Sequence, residues 1–486
     1  MSSSESFYWH DYETSGARVA EDRPLQFAGV RTDSQFNVVG DPLVIYCRLS
    51  PDCLPHPTAV RVTGISPYTA LEQGLPERDF IARIVAEMAR PGTCSLGYNS
   101  LRFDDEITRY TLYRNFFKPY EREYGAGRSR WDLIDTTRAV HALRPSGIEW
   151  PARDDGLPSF KLEDLTAANG IDHGNAHDAL ADVLATIALA RLLRERQPAL
   201  FDTLYAQRGK QALASLVDLN DPVPLVHVSG QFGARRSNLA VVLPLAAHPG
   251  NKNEVICADL SREPDFLDQT AEQVRRVLFA AKADLPDDAL RPPLKTVKLN
   301  RAPVLLPATW VAGEPAERLG LDGKVARAAL AAYRGARQAD PEGFKGFIES
   351  IYGERKFEPK IDPDTQLYDG FLGRNDEALL ERVREASPAA LATESWVFED
   401  GRLPELLFRY RARNFPDSLS DEERDRWHGH CRDHLLAQLG PGWQDFHAVL
   451  HEERSRPDLS EQQTAALQAL ADYAEKLQAT HARWDL

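Results

Sequence analysis

Phe7-Tyr8-Trp9-His10-Asp11-Tyr12-Glu13-Thr14 reads as a β-strand, rich in aromatic residues and closed by the turn residue Gly16. Side chains alternate across a strand, so Asp11 and Glu13 project from one face together with Phe7 and Trp9. An apolar face that ends in two carboxylates is costly to bury unless something neutralises them. Divalent cations that prefer oxygen ligands do so. Asp-x-Glu alone also describes a strand end turning polar as it reaches solvent.

Working outward, Gln26 to Thr32 and Val38 to Leu49 read as a second and third strand, with Pro24, Asp33, Gly40 and Pro42 as turn residues between them. A helix is predicted over Glu77 to Ala89 and a short strand over Thr93 to Gly97. Helices follow at Asp105 to Phe117, Asp132 to Ala142, Lys161 to Asn169 and Ala176 to Arg196. Three neighbouring strands, then alternating strand and helix, predict a mixed sheet covered by helices. Beyond residue 200 the texture changes. A helical segment (Leu200 to Val217) leads into Pro222-Val223-Pro224 and β-rich runs at Leu225 to Val228, Leu239 to Leu245 and Val255 to Leu260. A helical patch at Ala271 to Lys282 interrupts, and Leu294 to Leu299 resumes as strand. From about 354 the chain reads as mostly helical, ending in the amphipathic stretch Glu461 to Leu477.

At 486 residues the chain is too long for one ordinary core, which predicts about three domains. No stretch approaches the apolar length of a membrane span, and the N-terminus lacks a signal peptide's three regions. The five cysteines (Cys47, Cys53, Cys94, Cys257, Cys431) are scattered without a C-x-x-C pair, so neither a disulfide frame nor a zinc site is indicated. A reducing cytoplasm is expected. The formal net charge of −15 fits an acidic enzyme with a small substrate. It fits equally a local basic groove on an acidic body, so charge leaves the partner open.

Two further signals carry chemistry. Gly97-Tyr98-Asn99-Ser100-Leu101-Arg102-Phe103-Asp104-Asp105-Glu106 places an acid where a short strand turns into a helix. Helix capping explains one of the two aspartates; we assign it to Asp105, and the metal to Asp104. In Asn175-Ala176-His177-Asp178-Ala179-Leu180-Ala181-Asp182, Asn175 is the expected N-cap. His177 and Asp182 then diverge by roughly 140° at about 100° per residue, which suits separate tasks. Asp182 would hold metal, and His177 would handle a proton. Taken singly, His177 reads as a surface residue near a helix start.

Together, Asp-x-Glu on the first strand, an Asp after a later strand and His-x₄-Asp on a helix resemble the DEDD exonuclease superfamily, histidine subtype. HDYET, DRPLQFAGVRTD, VTGISP, GYNSLRFDDE, RWDLIDTTRA, DDGLPSFKLEDLTAANGI and NAHDALADV resemble bacterial exonuclease I, and PLVHVSGQFGARR, QLYDGF and FRYRARNFP extend the likeness to nearly the whole chain. The resemblance implies a multidomain α/β plus β plus α architecture. A ribonuclease H-like mixed sheet with flanking helices would occupy residues 5–195. An SH3-like β domain with inserted helices would occupy 198–350, and a helical C-terminal domain 354–486. The three would enclose a single DNA strand in a C-shaped groove. The resemblance makes Asp11, Glu13, Asp104 and Asp182 the metal ligands and His177 the general base.

The implied activity is 3′→5′ removal of 5′-mononucleotides from single-stranded DNA, in DNA repair and recombination. Two ions about 3.5–4 Å apart can serve both ends of an in-line displacement. Asp11, Glu13 and Asp182 would hold the ion that activates water, and Asp11 with Asp104 the other. His177 would take the water's proton. The cofactor expected is a pair of Mg²⁺ ions, with Mn²⁺ able to substitute. The protein is expected to be a monomer without a membrane partner, and the family implies contact with the acidic tail of single-strand DNA-binding protein.

Between Ile107 and Arg130 lie six basic residues against two acids, interleaved with six aromatics. Cations for phosphates and rings for bases bind single strands without sequence preference. Tyr113, Phe116 and Phe117 are expected in the core of an amphipathic helix. Arg109, Tyr120, Tyr124 and Arg138 are expected on the strand, together with Glu13 and Lys161. At Lys161 the family is expected to carry an arginine; lysine keeps the charge and loses the bidentate fork. Arg409, Arg411 and Arg413 divide between groove wall and structural ion pairs. Two rivals remain: an RNA- or oligonucleotide-trimming relative, and a non-catalytic single-strand binding protein.

Overall fold

The computed structural model describes residues 5–172, 178–286, 289–353, 360–438 and 443–482. It divides into two compact units, one built from residues 1–129, 173–187 and 358–486 and the other from 130–172 and 188–357.

The first unit is centred on a mixed sheet with strands β1 (Ser6–Thr14), β2 (Pro24–Thr32), β3 (Leu43–Tyr46) and β4 (Thr93–Gly97), in the order β3-β2-β1-β4. β1 runs antiparallel to β2, with Asp11 opposite Ala28, and parallel to β4, with Trp9 opposite Leu96. Phe7, Tyr8, Trp9 and His10 alternate between the two faces of β1 and are all buried, so both faces are covered. On one face Tyr8, Tyr12 and Phe27 pack with Phe80, Ile81, Ile84 and Met88 of the helix Glu77–Met88 and with Ile107 and Leu112 of the helix Asp104–Arg114. The expected third strand, Val38 to Leu49, is regular only over Leu43–Tyr46: Val38 makes an isolated bridge to Thr32, and Gly40 (φ 78°) and Pro42 break the run between them.

The helices of residues 360–482 pack within this same unit. Leu467, Leu470 and Ala474 of the helix Glu461–Ala482 meet Val60 and Ala70 of the short helices Pro57–Thr63 and Pro67–Gln73. Tyr113 and Phe116 are buried against Leu367, Leu380, Leu403 and Tyr410, as expected, together with Tyr110, and Phe117 is partly buried; the helix Asp104–Arg114 is buried on every side and not amphipathic, and Phe116 lies past its end. Arg409, Arg411 and Arg413 are all committed to structure. Arg413 bonds Asp52 at 2.7 Å and also Asp364, Arg409 bonds Asp364 at 3.0 Å, and Arg411 bonds Glu423 at 2.6 Å. Burial would raise the carboxyl pKa of Asp52 and Asp364, but Arg413 and Arg23 outweigh it and hold both well below the usual range.

The second unit contains an antiparallel sheet in the order Val304–Pro307, Leu225–Val228, Leu239–Ala247, Glu254–Asp259 and Leu294–Lys298. Leu243, Ile256 and Ala258 pack on Tyr333, Phe344 and Ile348 of the helices Gly323–Ala339 and Pro341–Ile351. This is the β-rich module with inserted helices that the sequence predicts. Two details differ. The segment Leu200 to Val217 is two helices, Pro198–Ala206 and Lys210–Ala214, parted at Gly209. The strand Val304–Pro307 went unread, because three apolar residues between two prolines carry no alternation. Among the described residues no helix is long and apolar enough to cross a membrane.

Candidate active site

Asp11 and Glu13 leave β1 near its end, where the register with β2 shifts between Glu13 and Thr14. Parallel pairing sets the end of β4 beside them. A Cβ on Gly97 would lie 2.5 Å from the carbonyl oxygen of His10, so only glycine allows the backbone to pass this close. Asn99 then adopts a left-handed conformation (φ 64°), and the chain turns into the helix Asp104–Arg114. This carries the buried Asp104 back onto β1, where its Oδ1 accepts the backbone N–H of Tyr12 at 3.0 Å.

Asp182 arrives on the helix Ala179–Arg196. At the start of that helix the carboxylate of Asp178 accepts from the N–H groups of Leu180 and Ala181 at 3.1 and 3.2 Å. Asn175 and His177 lie outside the described residues. One ligand oxygen from each of Asp11, Glu13 and Asp182 falls within 4.8 Å of the others. Asp104 is not one of these three, but its charge is the strongest felt by Asp11.

The electrostatics are those of crowded carboxylates. Burial, then Asp104, Glu13 and Asp182, push the Asp11 carboxyl well above its ordinary pKa. Burial, then Asp182, Asp104 and Asp178, do the same to Glu13. Among the described residues no lysine or arginine pairs with Asp11 or Glu13. An all-oxygen donor set of this charge fits hard divalent cations, which would relieve that repulsion.

Asp105 does not act as the expected cap. It is buried and bonded at 2.6 Å to Arg122, itself fully buried, with Nε2 of His10 4.0 Å away. Burial lowers the His10 pKa to about 4, so the ring is neutral near pH 7.

The expected strand contacts divide into two kinds. Arg109 is buried: Glu123 takes its Nε and Nη2 at 2.7 and 2.8 Å, Glu106 takes Nη1 at 2.8 Å, and it lies over the half-buried Tyr120 ring. A phosphate that reached this guanidinium would compete with two acids for it. Tyr124, by contrast, is 64% exposed. In the second unit Lys161 is exposed beside Glu163, while Arg138 pairs with Asp135 at 2.8 Å and lies over Phe160. Lys161, Arg138 and Phe160 line one open cleft of that unit. Tyr368 and Phe371, which the motif QLYDGF contains without a role being assigned to either, stand beside Arg109 and Tyr120 respectively.

Comparison with known proteins places these observations in a family context. The profile described as Exonuclease matches residues 8–190, that of the Exonuclease I SH3-like domain residues 208–350, and that of the Exonuclease I C-terminal domain residues 361–477. Exodeoxyribonuclease I of Escherichia coli K12 is 45% identical over 97% of this chain and 98% of its own length. That of Haemophilus influenzae is 43% identical over the same shares. The crystal structure of E. coli exonuclease I in complex with a dA16 oligonucleotide superimposes with a TM-score of 0.91, covering 97% of this chain and 100% of that one at 45% identity. Exonuclease I from Methylocaldum szegediense gives 0.90, at 45% identity over 97% and 99%. A zinc-bound form of the E. coli protein with single-stranded DNA gives 0.90, at 44% identity over 97% and 99%.

Proposed function

The chain belongs to the bacterial exonuclease I family, and on that premise we propose that it removes 5′-mononucleotides from the 3′ end of single-stranded DNA. It is a metal-dependent nuclease of that family. The observation that carries the finer reading is the meeting of Asp11, Glu13 and Asp182 within 4.8 Å, with Asp104 bonded to the peptide between the first two.

Asp11, Glu13 and Asp182 would hold one divalent cation, and Asp11 with Asp104 a second; Mg²⁺ is our assignment, with Mn²⁺ as substitute. Bound there, such ions supply Lewis acidity to both ends of an in-line displacement at phosphorus. The chain's own part is to fix the acids. Asp104 is held by the Tyr12 amide, and Asp182 by a helix that Asp178 starts. His177 is assigned as the base that takes the proton of the attacking water as the P–O3′ bond breaks, a task suited to a near-neutral imidazole. Tyr120, Tyr124, Arg138 and Lys161 are assigned to the strand. Arg109 is assigned to holding Tyr120 and not to phosphate.

A role in DNA repair and recombination, contact with the acidic tail of single-strand DNA-binding protein, and a monomeric state follow from family membership as proposals. Cytoplasmic residence is supported by five buried cysteines, none of them in a disulfide. Side-by-side digestion of matched DNA and RNA strands tests the substrate. Mononucleotides from DNA alone are expected; equal release from RNA would favour an RNA-trimming enzyme. Binding without release in Mg²⁺ would favour a non-catalytic binding protein.

A further inference from the structure

A single exposed ring means little, but a group of them at one place calls for a ligand. Phe371 is 91% exposed and Tyr124 64%, and the half-buried Tyr120 meets Phe371 edge-on at 6.4 Å between ring centroids. The three rings border one cavity of about 140 Å³, which Phe117 and Leu372 also line.

Phe371 is kept in this exposed position by what precedes it. Tyr368 closes the short helical turn Pro363–Tyr368. Its hydroxyl donates to the Glu106 carboxylate and accepts from Arg109 Nη1 at 3.0 Å, while its ring packs edge-on against Tyr110. Arg109 in turn grips Glu123 through two nitrogens and lies over the Tyr120 ring at 5.4 Å. One guanidinium therefore ties both segments bordering the cavity, around Tyr120–Tyr124 and around Tyr368–Phe371, to the helix that begins at Asp104.

We propose that Phe371 is a strand-contacting residue that, with Tyr124, takes one unstacked nucleobase between them, and that Tyr368 is the positioning residue that holds Phe371 in place. This rests on the single-strand reading above and adds a residue to it. A base is the occupant because it is the planar, apolar group of the polymer on which the carboxylate cluster would act. Two rings presented to solvent on rigid supports offer it stacking faces that need no sequence. The link to the Asp104 helix fixes that base relative to the acids, so the slot sets where the strand sits.

The test is fluorescence anisotropy of a labelled dT oligonucleotide with the full chain in EDTA, so that nothing is cut. Phe371→Ala is expected to weaken binding roughly 5- to 150-fold, the range for losing one stacked base. Its melting midpoint should be unchanged because the ring is exposed, and Phe371→Trp should bind like the wild type. In a set of oligonucleotides with one abasic residue walked along the strand, one position should weaken the wild type and leave Phe371→Ala indifferent. Tyr368→Phe should weaken binding less than Phe371→Ala and add nothing to it in the double variant. Unchanged binding by Phe371→Ala, or no abasic position that couples to it, overturns the proposal even if Tyr368→Phe lowers stability. Binding is read apart from cleavage, so a protein that grips DNA and releases no nucleotide would sink the nuclease reading and leave this one standing.

Discussion

The backbone N–H of Tyr12 donates to Oδ1 of Asp104 at 3.0 Å, so an acid 92 residues downstream is fixed to the peptide that lies between Asp11 and Glu13. A charged acceptor on a buried amide is a strong, directional bond. It makes the fourth carboxylate part of β1's own geometry without placing it on the strand.

Asp104→Asn keeps an acceptor for that amide and loses the charge. Because it removes the strongest charge acting on Asp11, the metal-free variant should melt no lower than the wild type at pH 8 and bind single strands, yet cut poorly. Asp104→Ala should also lose about 1–3 kcal/mol of stability by orphaning the buried N–H. Urea unfolding and nucleotide release, measured on both variants, check the pair. Equal stability of the two would remove the bond from the account.

The raised Asp11 and Glu13 carboxyls make metal and proton alternatives. In the metal-free protein the folded state binds more protons than the unfolded chain. Stability from these groups is therefore present below their ordinary pKa range near 4 and is lost as pH rises through the folded values. Mg²⁺ at 100 times its dissociation constant should return about 2.7 kcal/mol at pH 8 and less at pH 5. Asp182→Asn removes the strongest charge acting on Glu13. It should raise the metal-free melting midpoint at pH 8, shrink the Mg²⁺ effect and abolish cleavage. Calorimetry at the two pH values, with and without Mg²⁺, reads all of these but the cleavage.

Arg413 holds two buried acids, so Arg413→Ala should cost about 3–5 kcal/mol. Asp52 and Asp364 have depressed folded pKa values. Their contribution is fully present above the unfolded value near 4 and is lost as pH falls towards the lower folded values. Acid unfolding should therefore steepen below about pH 4, and Asp364→Asn should flatten it. A urea series from pH 3 to about pH 6 decides this.

Tyr124 and Arg109 should separate cleanly. Tyr124→Ala should weaken strand binding by about 1–3 kcal/mol with no loss of stability. Arg109→Ala, which leaves Glu106 and Glu123 facing each other, should lower stability by about 3–5 kcal/mol. Thermal melts beside anisotropy titrations distinguish them. A stable Arg109→Ala that merely binds weakly would return this arginine to the groove.

Periodicity located β1, β2 and β4 because alternating or continuous apolar runs are set by burial, which is local to each strand. Asp11 and Glu13 could be placed on one side by alternation alone. The meeting of Asp182 with them depends on chain reversals far apart in sequence and was legible only through family resemblance. Partner choice was hidden too. Asp105 was expected to cap its helix and bonds Arg122 instead, and Arg109, expected on the strand, bonds Glu106 and Glu123 in this structure. A charged side chain reads the same in sequence whether its partner is water, metal or a distant ion.

The account stands most directly on the digestion of one single-stranded oligonucleotide labelled at its 5′ end, followed over time with Mg²⁺ and with EDTA. It predicts labelled products that shorten stepwise from the 3′ end in Mg²⁺ and an intact strand in EDTA. Immediate release of the label as a mononucleotide, or shortening that proceeds equally in EDTA, would contradict it.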